Sequence, residues 1–209
     1  MPVDPSTLVA FIGTILAFVM SPGPDTVLVL RYTITSGRGV GSAAVAGVQL
    51  GLAGHTLLAI VGLSVVIASS PELFTLIAIA GAIYIAWLGV QGIRMGFVQI
   101  DEAHGAEVGH AKAMRDAMFT NLLNPKVILL FLALMPNFVD VDRGHVIGQL
   151  VTLGITLIIV NTIWQLPLAF AAGWIRNLLD RSRTQLIVNW TTGAILIGIA
   201  IHLLVDHVI

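Results

Sequence analysis

The sequence predicts an all-α integral membrane protein with about six transmembrane helices. Hydrophobic residues make up 57% of the 209-residue chain and charged residues only 10%, whereas a soluble domain carries about 25% charged residues. The apolar runs are long enough to cross roughly 30 Å of hydrocarbon. They are also continuous, without the alternation of apolar and polar residues that a membrane β-barrel shows. Lipid is therefore the solvent that suits this composition.

Six apolar segments follow one another, and we expect a membrane span in each. They cover residues 8–31, 42–68, 73–96, 117–138, 146–174 and 187–207. No basic region precedes the first segment and no small-residue cleavage site follows it, so we interpret it as a retained span. We expect one transporter domain over 1–209, with repeat one at about 1–96, a cytoplasmic loop at 97–116 and repeat two at 117–209.

Lysine and arginine are unequally shared between the connections. The second connection holds neither residue and the fourth holds only Arg143, whereas the odd-numbered connections hold Arg31, Arg38, Arg94, Lys112, Arg115, Arg176, Arg181 and Arg183. Positive residues concentrate in cytoplasmic loops. We therefore expect the odd-numbered loops in the cytoplasm and both termini outside it.

The polar stretch 97–116 could be considered as a metal site. It contains Asp101, Glu102, His104, Glu107 and His110. His104 and His110 are six residues apart, a spacing that does not place them on one helical face. We interpret the stretch as a solvated loop, and we expect no metal, no cofactor and no enzymatic activity. The net charge of −1 likewise gives no indication of nucleic-acid binding, and the absence of cysteine excludes disulfides.

The two halves of the chain resemble each other. The segment 18–30, FVMSPGPDTVLVL, aligns with 119–131, FTNLLNPKVILLF, so that phenylalanine, proline and the following charged residue coincide. A second match joins GAIYI at 81–85 to GAILI at 193–197. Three spans in each half mean that the second half is inserted upside down. Inverted repeats are typical of secondary transporters, whose substrate site lies where the halves meet.

Prolines should break the first and fourth spans. Span one contains Ser21-Pro-Gly-Pro-Asp25 and span four contains Asn124-Pro-Lys126. Proline removes a backbone N–H and ends a helix, while Asn124 and Gly23 suit the N-cap and Pro125 and Pro24 the first helical position. We expect both new helix N-termini to point inward with free N–H groups, as a carboxylate site requires.

Asp25 and Lys126 follow these breaks directly. An ionised side chain inside the membrane costs at least about 2.5 kcal/mol and usually marks a transport pathway or a pair. Asp25 could bind a substrate ammonium or a transported proton, and Lys126 could bind a carboxylate, so that together they suit a zwitterion. The alternative is a buried Asp25–Lys126 ion pair that only holds the halves together.

Other polar residues in the spans are candidates for the pathway. Gln49 and His55 lie in span two, where the neighbouring residues Gly47, Gly51 and Gly54 allow close helix packing. His55 could relay protons or simply pack. Asn161 and Gln165 in span five could line a cavity, although hydrogen bonding across helices is the favoured interpretation.

The chain resembles the LysE/RhtB family of bacterial amino-acid exporters. The resemblance rests on the motifs SPGPD at 21–25, GVQLG at 47–51 with His55, Gly81-Ala82 with Tyr84, WLG at 87–89 and NLLNPK at 121–126. It implies efflux of amino acids or close derivatives, driven by proton antiport, in the bacterial inner membrane as a homodimer. It does not imply which amino acid. The alternatives are a passive channel or facilitator, or a cation exporter, of the same fold.

Overall fold

A computed structural model describes residues 2–21, 23–94, 108–171 and 182–208. Every regular element within these ranges is helical. The helices are α1 Pro5–Met20, α2 Pro24–Ser36, α3 Arg38–Ser69, α4 Pro71–Arg94, α5 His110–Leu122, α6 Pro125–Leu134, which a 3₁₀ turn at Met135–Phe138 extends, α7 Val146–Phe170 and α8 Ser182–Val208. The predicted all-α class is thus confirmed for the described residues.

Proline marks the start of four described helices, namely α1, α2, α4 and α6. Its fixed φ suits the first helical turn, where its missing N–H is not needed. In α1 the preceding Asp4 caps the helix, because its carboxylate accepts a hydrogen bond from the amide of Ser6 at 3.0 Å. These prolines and the Asp4 cap can be recognised in the sequence, and they determine where the helices begin.

Two helices are long and apolar enough to cross a membrane, namely α3 over Arg38–Leu63 and α7. The bent pairs α1–α2, at 57°, and α5–α6, at 51°, would each suffice if the pair is one span. The apolar parts of α4 and α8, at Thr75–Gln91 and Asn189–Val205, are shorter. By length and composition the described residues therefore contain two to four candidate spans, and the predicted count of six stays a prediction.

Close helix packing depends on glycine. A Cβ built on Gly51 of α3 would lie only 2.5 Å from Oδ1 of Asn121 on α5, and one built on Gly47 would collide with the carbonyl of Met114. In the same way, a Cβ on Gly89 of α4 would lie 2.7 Å from the carbonyl oxygen of Gly193 on α8. The predicted glycine face of α3 is confirmed, because it brings α3 and α5 into backbone contact.

Two hydrophobic clusters form the interior. The larger cluster includes Phe11 and Ile15 of α1 with Leu134 and Leu153. The smaller cluster includes Val29 of α2 with Val45, Val48, Ala113 and Ala117. The two helices on either side of each break contribute to different clusters: α1 and α6 to the larger, α2 and α5 to the smaller. Large side chains such as Leu57, Val61 and Ile163 remain more than half exposed, as a surface in contact with lipid requires.

The last part of the predicted connection at 97–116 is helical. Helix α5 begins at His110, with Gly109 as its N-cap residue, so the last seven residues of that stretch are helical. Asp101, Glu102, His104 and Glu107 lie outside the described residues, as do Arg176 and Arg181 of the fifth connection. Within the described ranges, no group of three or more His, Asp or Glu side chains could hold a metal ion.

Candidate functional site

A small polar cavity lies where the two helix breaks meet. Its volume is about 40 Å³. The polar or charged residues that line it are Ser21, Asp25, Thr26, Asn121, Asn124, Lys126, Asn161 and Gln165, and the remainder are Gly23 and apolar residues of α1, α3, α6 and α7. The fold therefore brings together the residues that flank both breaks, although about 100 positions separate the two breaks in the sequence.

Asp25 is held by an amide. One carboxylate oxygen, Oδ2, accepts a hydrogen bond of 2.8 Å from Nδ2 of Asn121. The other oxygen, Oδ1, is buried and has no hydrogen-bond partner among the described residues. A buried carboxylate oxygen without a partner is costly. Its position on the cavity wall leaves it available to a ligand with N–H or O–H donors.

Lys126 is bound to the end of α1. Its Nζ donates to the carbonyl oxygen of Ser21 at 2.8 Å and to that of Phe18 at 3.1 Å. The same ammonium lies 4.5 Å from the centroid of the Phe18 ring. Carbonyls at a helix C-terminus lack intrahelical partners and carry a negative dipole end, so a cation is stabilised there.

Asp25 and Lys126 do not form an ion pair at an N–O distance of 4.0 Å or less in the described part of the chain. Both charges line the same cavity, yet neutral groups bind each of them. The two charges are thus adjacent without neutralising each other through direct contact.

The two helix N-termini differ, contrary to the expectation that both present free N–H groups. In α6 the side chain of Asn124 accepts from the amide of Lys126 at 3.0 Å. Its backbone carbonyl accepts from Val127 and Ile128, both at 3.0 Å. In α2 the N-cap residue is Gly23, which offers no side-chain cap, and the described residues provide no acceptor for the amides of Asp25 and Thr26. The Asn124 side chain thus accepts a hydrogen bond from the backbone at the start of α6, whereas Gly23 provides no such acceptor at the start of α2.

The prolines shape the breaks but lie outside the cavity. Pro24 and Pro125 are both exposed, and neither lines it. Gly23 does line the cavity, and a Cβ there would lie 3.7 Å from Nζ of Lys126. The prolines therefore act on the backbone, as residues that start the helices.

Of the candidates on α3 and α7, Asn161 and Gln165 line the cavity and Gln49 does not. Nδ2 of Asn161 donates to Oε1 of Gln49 at 3.3 Å, so these two residues bond across helices as the sequence favours. Gln165 lies one turn after Asn161, with its Oε1 unpartnered among the described residues and the side chain 3% exposed.

His55 lies behind the site. It is buried, its Nε2 is 3.3 Å from the carbonyl oxygen of Asn121, and its ring stacks on Phe131 at 5.3 Å. It does not line the polar cavity but borders a separate apolar cavity of about 410 Å³ between α3, α4, α5 and α6. His55 thus contacts the residue that binds Asp25.

Asn121 is a site residue that the pathway prediction left out. Its side chain is 1% exposed and bonds Asp25 across 96 sequence positions. Its only sequence signal is its position at the start of the NLLNPK stretch. An asparagine inside an apolar span is a hydrogen-bonding residue, but its partner depends on how α2 packs against α5.

Residues 16–207 match the family described as LysE type translocator. This chain belongs to that family. The predicted resemblance is thereby confirmed over nearly the whole chain, and the polar cavity lies in a membrane translocator.

Three relatives illustrate what this chain is similar to. An uncharacterized membrane protein of Bacillus subtilis (strain 168) is 31% identical over 93% of this chain and 97% of its own length. A protein of Enterobacter sp. (strain 638) named leucine efflux protein is 29% identical over 90% of both chains. A protein of Salmonella typhi named homoserine/homoserine lactone efflux protein is 32% identical over 74% of both chains. No solved structure matches this chain.

Proposed function

We propose that this protein exports amino acids or close derivatives from the cytoplasm by secondary transport. The observation that carries the proposal is the cavity that contains both Asp25 and Lys126, each bound to neutral groups and not paired with the other. A zwitterion presents one positive and one negative group and can be bound by such a site. The names of two relatives, which refer to leucine and to homoserine or its lactone, support the same substrate class.

The two ends of the substrate have different partners in this proposal. Asp25 binds the substrate ammonium through the oxygen that lacks a protein partner. The substrate carboxylate lies at the uncapped N-terminus of α2, where the amides of Asp25 and Thr26 are available, and it also accepts from Lys126. In the structure, which holds no substrate, two of the three donors of the lysine ammonium are used by the α1 carbonyls.

The cavity volume supports alternating access. At roughly 10–15 Å³ per water molecule in this measure, about 40 Å³ admits a few waters and no amino acid. Substrate binding therefore requires the helices to separate. In the proposed mechanism one inverted repeat rocks against the other, which opens the site first to the cytoplasm and then to the outside.

Coupling, location and assembly complete the proposal. Protons move inward as the substrate moves out, with Asp25 as their carrier and His55 as a relay behind Asn121. The protein lies in the bacterial inner membrane as a homodimer, with both termini outside the cytoplasm. Six spans surround the site, and each bent helix pair is one broken span.

Counterflow in proteoliposomes tests the proposal. Purified protein is reconstituted, and uptake of labelled leucine, homoserine and other amino acids is measured with and without a pH gradient. We expect uptake of at least one amino acid and acceleration by the gradient. No uptake of any amino acid by active, oriented protein would overturn the proposal, and uptake that ignores the gradient would favour a passive facilitator.

Two charge variants test the site in the same assay. Asp25→Asn and Lys126→Met should each lower transport at least about tenfold, because a hydrogen bond to a charged group is worth about 1.5–3 kcal/mol. Glu72→Gln and Arg38→Met are the controls, since both side chains are exposed and neither lines the cavity. Normal transport by both site variants would contradict the assignment. Loss of folded protein in each variant, with rescue in the double variant, would indicate an ion pair instead.

A further inference from the structure

The carbonyl oxygens at the end of α1 form a cation-binding site. In a continued helix the carbonyl of Phe18 would accept from the amide four residues later, but that residue is Pro22 and has no N–H. Helix α1 ends at Met20, so the carbonyl of Ser21 also lies outside it. The negative dipole end, two carbonyl oxygens and the face of the Phe18 ring all favour a positive charge at this point.

Lys126 occupies this site with a primary ammonium group. Its Nζ lies 2.8 and 3.1 Å from the two carbonyl oxygens and 4.5 Å from the ring centroid. A primary ammonium is also the group that the proposed substrate presents. The carboxylate of Asp25, with its unpartnered oxygen, lines the same cavity and would add a negative charge for either ammonium.

The side chain of Lys126 limits the volume of the cavity. The side chain stretches across the site from α6 to the end of α1, and its Cδ and Nζ each lie 3.7 Å from the Cβ position of Gly23. Lysine has a flexible four-carbon stem, so it can leave without backbone movement in α6. Its departure enlarges the cavity and exposes both carbonyl oxygens.

We propose that the carbonyl oxygens of Phe18 and Ser21, beside Asp25, are the subsite for the substrate ammonium, and that Lys126 occupies these two carbonyl oxygens whenever substrate is absent. The arriving ammonium displaces that of Lys126, which turns to the substrate carboxylate. When the substrate leaves, Lys126 returns. The carbonyl site holds a cation in both states, so no buried charge is left without partners at either stage. This inference rests on the proposed function for the identity of the transported molecule.

Binding of a small alkylammonium tests the exchange without transport. The purified chain in detergent is titrated with propylammonium chloride, with tetramethylammonium chloride as the control salt because it has no N–H donor. Binding is measured from the shift of the thermal unfolding midpoint. We expect propylammonium to bind Lys126→Met and Lys126→Gln at least about tenfold more tightly than the native chain, because a competing charged hydrogen-bond donor is gone.

Lys126→Arg is the matched control, since it keeps a cation at the position and should bind propylammonium as weakly as the native chain. Equal propylammonium affinity in the native chain and the neutral variants would overturn the exchange. If a neutral variant folds only when propylammonium is supplied, the exchange is supported. If it folds in neither salt, a diffusible ammonium cannot replace Lys126 and the inference is wrong. Failure of amino-acid counterflow alone would instead contradict the proposed function and leave the propylammonium result standing.

Discussion

Asp25 and Lys126 are stabilised by neutral groups that come from distant parts of the chain. Asn121 binds one oxygen of Asp25, and the last carbonyls of α1 bind the ammonium of Lys126. Charges buried in this way lose less to desolvation than isolated ions, yet each retains capacity for a ligand. The site therefore holds two charged groups whose hydrogen-bonding capacity is only partly used by the protein.

The hydrogen bond from Asn121 to Asp25 should be essential for transport. Asn121→Ala removes the amide that binds Oδ2, leaving both carboxylate oxygens buried without a described partner, and an unmet polar group costs about 1–3 kcal/mol. We expect transport to fall about tenfold or more in the counterflow assay, with folded protein still recoverable. Gln91→Ala, near the end of α4 and away from the cavity, is the control. Native transport by Asn121→Ala would show that Asp25 does not depend on this bond.

At the scale of the element, the two breaks consist of different residues and perform different tasks. The Ser21–Pro24 break frees carbonyls at the end of α1 and amides at the start of α2, because it offers two prolines and a glycine but no capping side chain. The break before α6 is closed by Asn124. The site thus obtains its backbone donors and acceptors mainly from the first break.

Glycine at position 51 should be required for packing of α3 on α5. A Cβ at Gly51 would lie 2.5 Å from Oδ1 of Asn121, whereas one at Gly13 of α1 would meet nothing within 4 Å. We expect Gly51→Ala to destabilise the fold by about 1–3 kcal/mol, as overpacking does. Gly13→Ala is the control and should be neutral or slightly stabilising. Thermal unfolding of both variants in the same detergent checks this, and equal stabilities would contradict it.

A contact between α2 and α5 lies at the predicted cytoplasmic end, and we expect it to hold that end closed. Tyr32 donates a hydrogen bond of 2.9 Å to Asp116, which also pairs with Lys112 at 3.0 Å. Tyr32→Phe removes one bond worth about 1 kcal/mol and should favour the open state. Because the chain has no cysteine, Thr26→Cys on the cavity wall can report this as faster labelling by a maleimide supplied from the cytoplasmic side.

Tyr84→Phe is the control for that labelling, since Tyr84 stacks on Trp87 within α4 and lies away from this contact. Labelling of Thr26→Cys should accelerate several-fold with Tyr32→Phe, by about fivefold for 1 kcal/mol, and should not change with Tyr84→Phe. An unchanged rate in both backgrounds would mean that the Tyr32–Asp116 bond does not close the cavity.

For the whole molecule, contacts between the two halves dominate the fold. Helix α3 packs on α5 and α7, and α4 packs on α8 and α6, so each long helix of the first half rests on the second half. Residues of both halves line the cavity, and two polar contacts also join the halves: Tyr32 with Asp116, and Asp4 with Arg143, 3.6 Å apart. The proposed rocking of one half against the other would break and re-form contacts of this kind.

Membrane orientation can be tested with single cysteines. His110→Cys lies in a predicted cytoplasmic connection and Asp142→Cys in a predicted outer one, and both side chains are exposed. In intact spheroplasts an impermeant maleimide should label Asp142→Cys at once and His110→Cys only after permeabilisation, as the distribution of Lys and Arg requires. The cysteine-free native chain is the control. The reverse labelling pattern would invert the topology and the direction of transport.

The sequence by itself determined the all-α membrane class, the helix starts at Pro24 and Pro125, the family, and Asp25 and Lys126 as the charges to explain, because these features depend on local chemistry and on the composition of single segments. Only the tertiary structure decided that Asn121 binds Asp25, that Lys126 binds the end of α1, and that Pro24 and Pro125 are exposed. These outcomes depend on which helix faces meet across about 100 residues, and no local pattern encodes that choice.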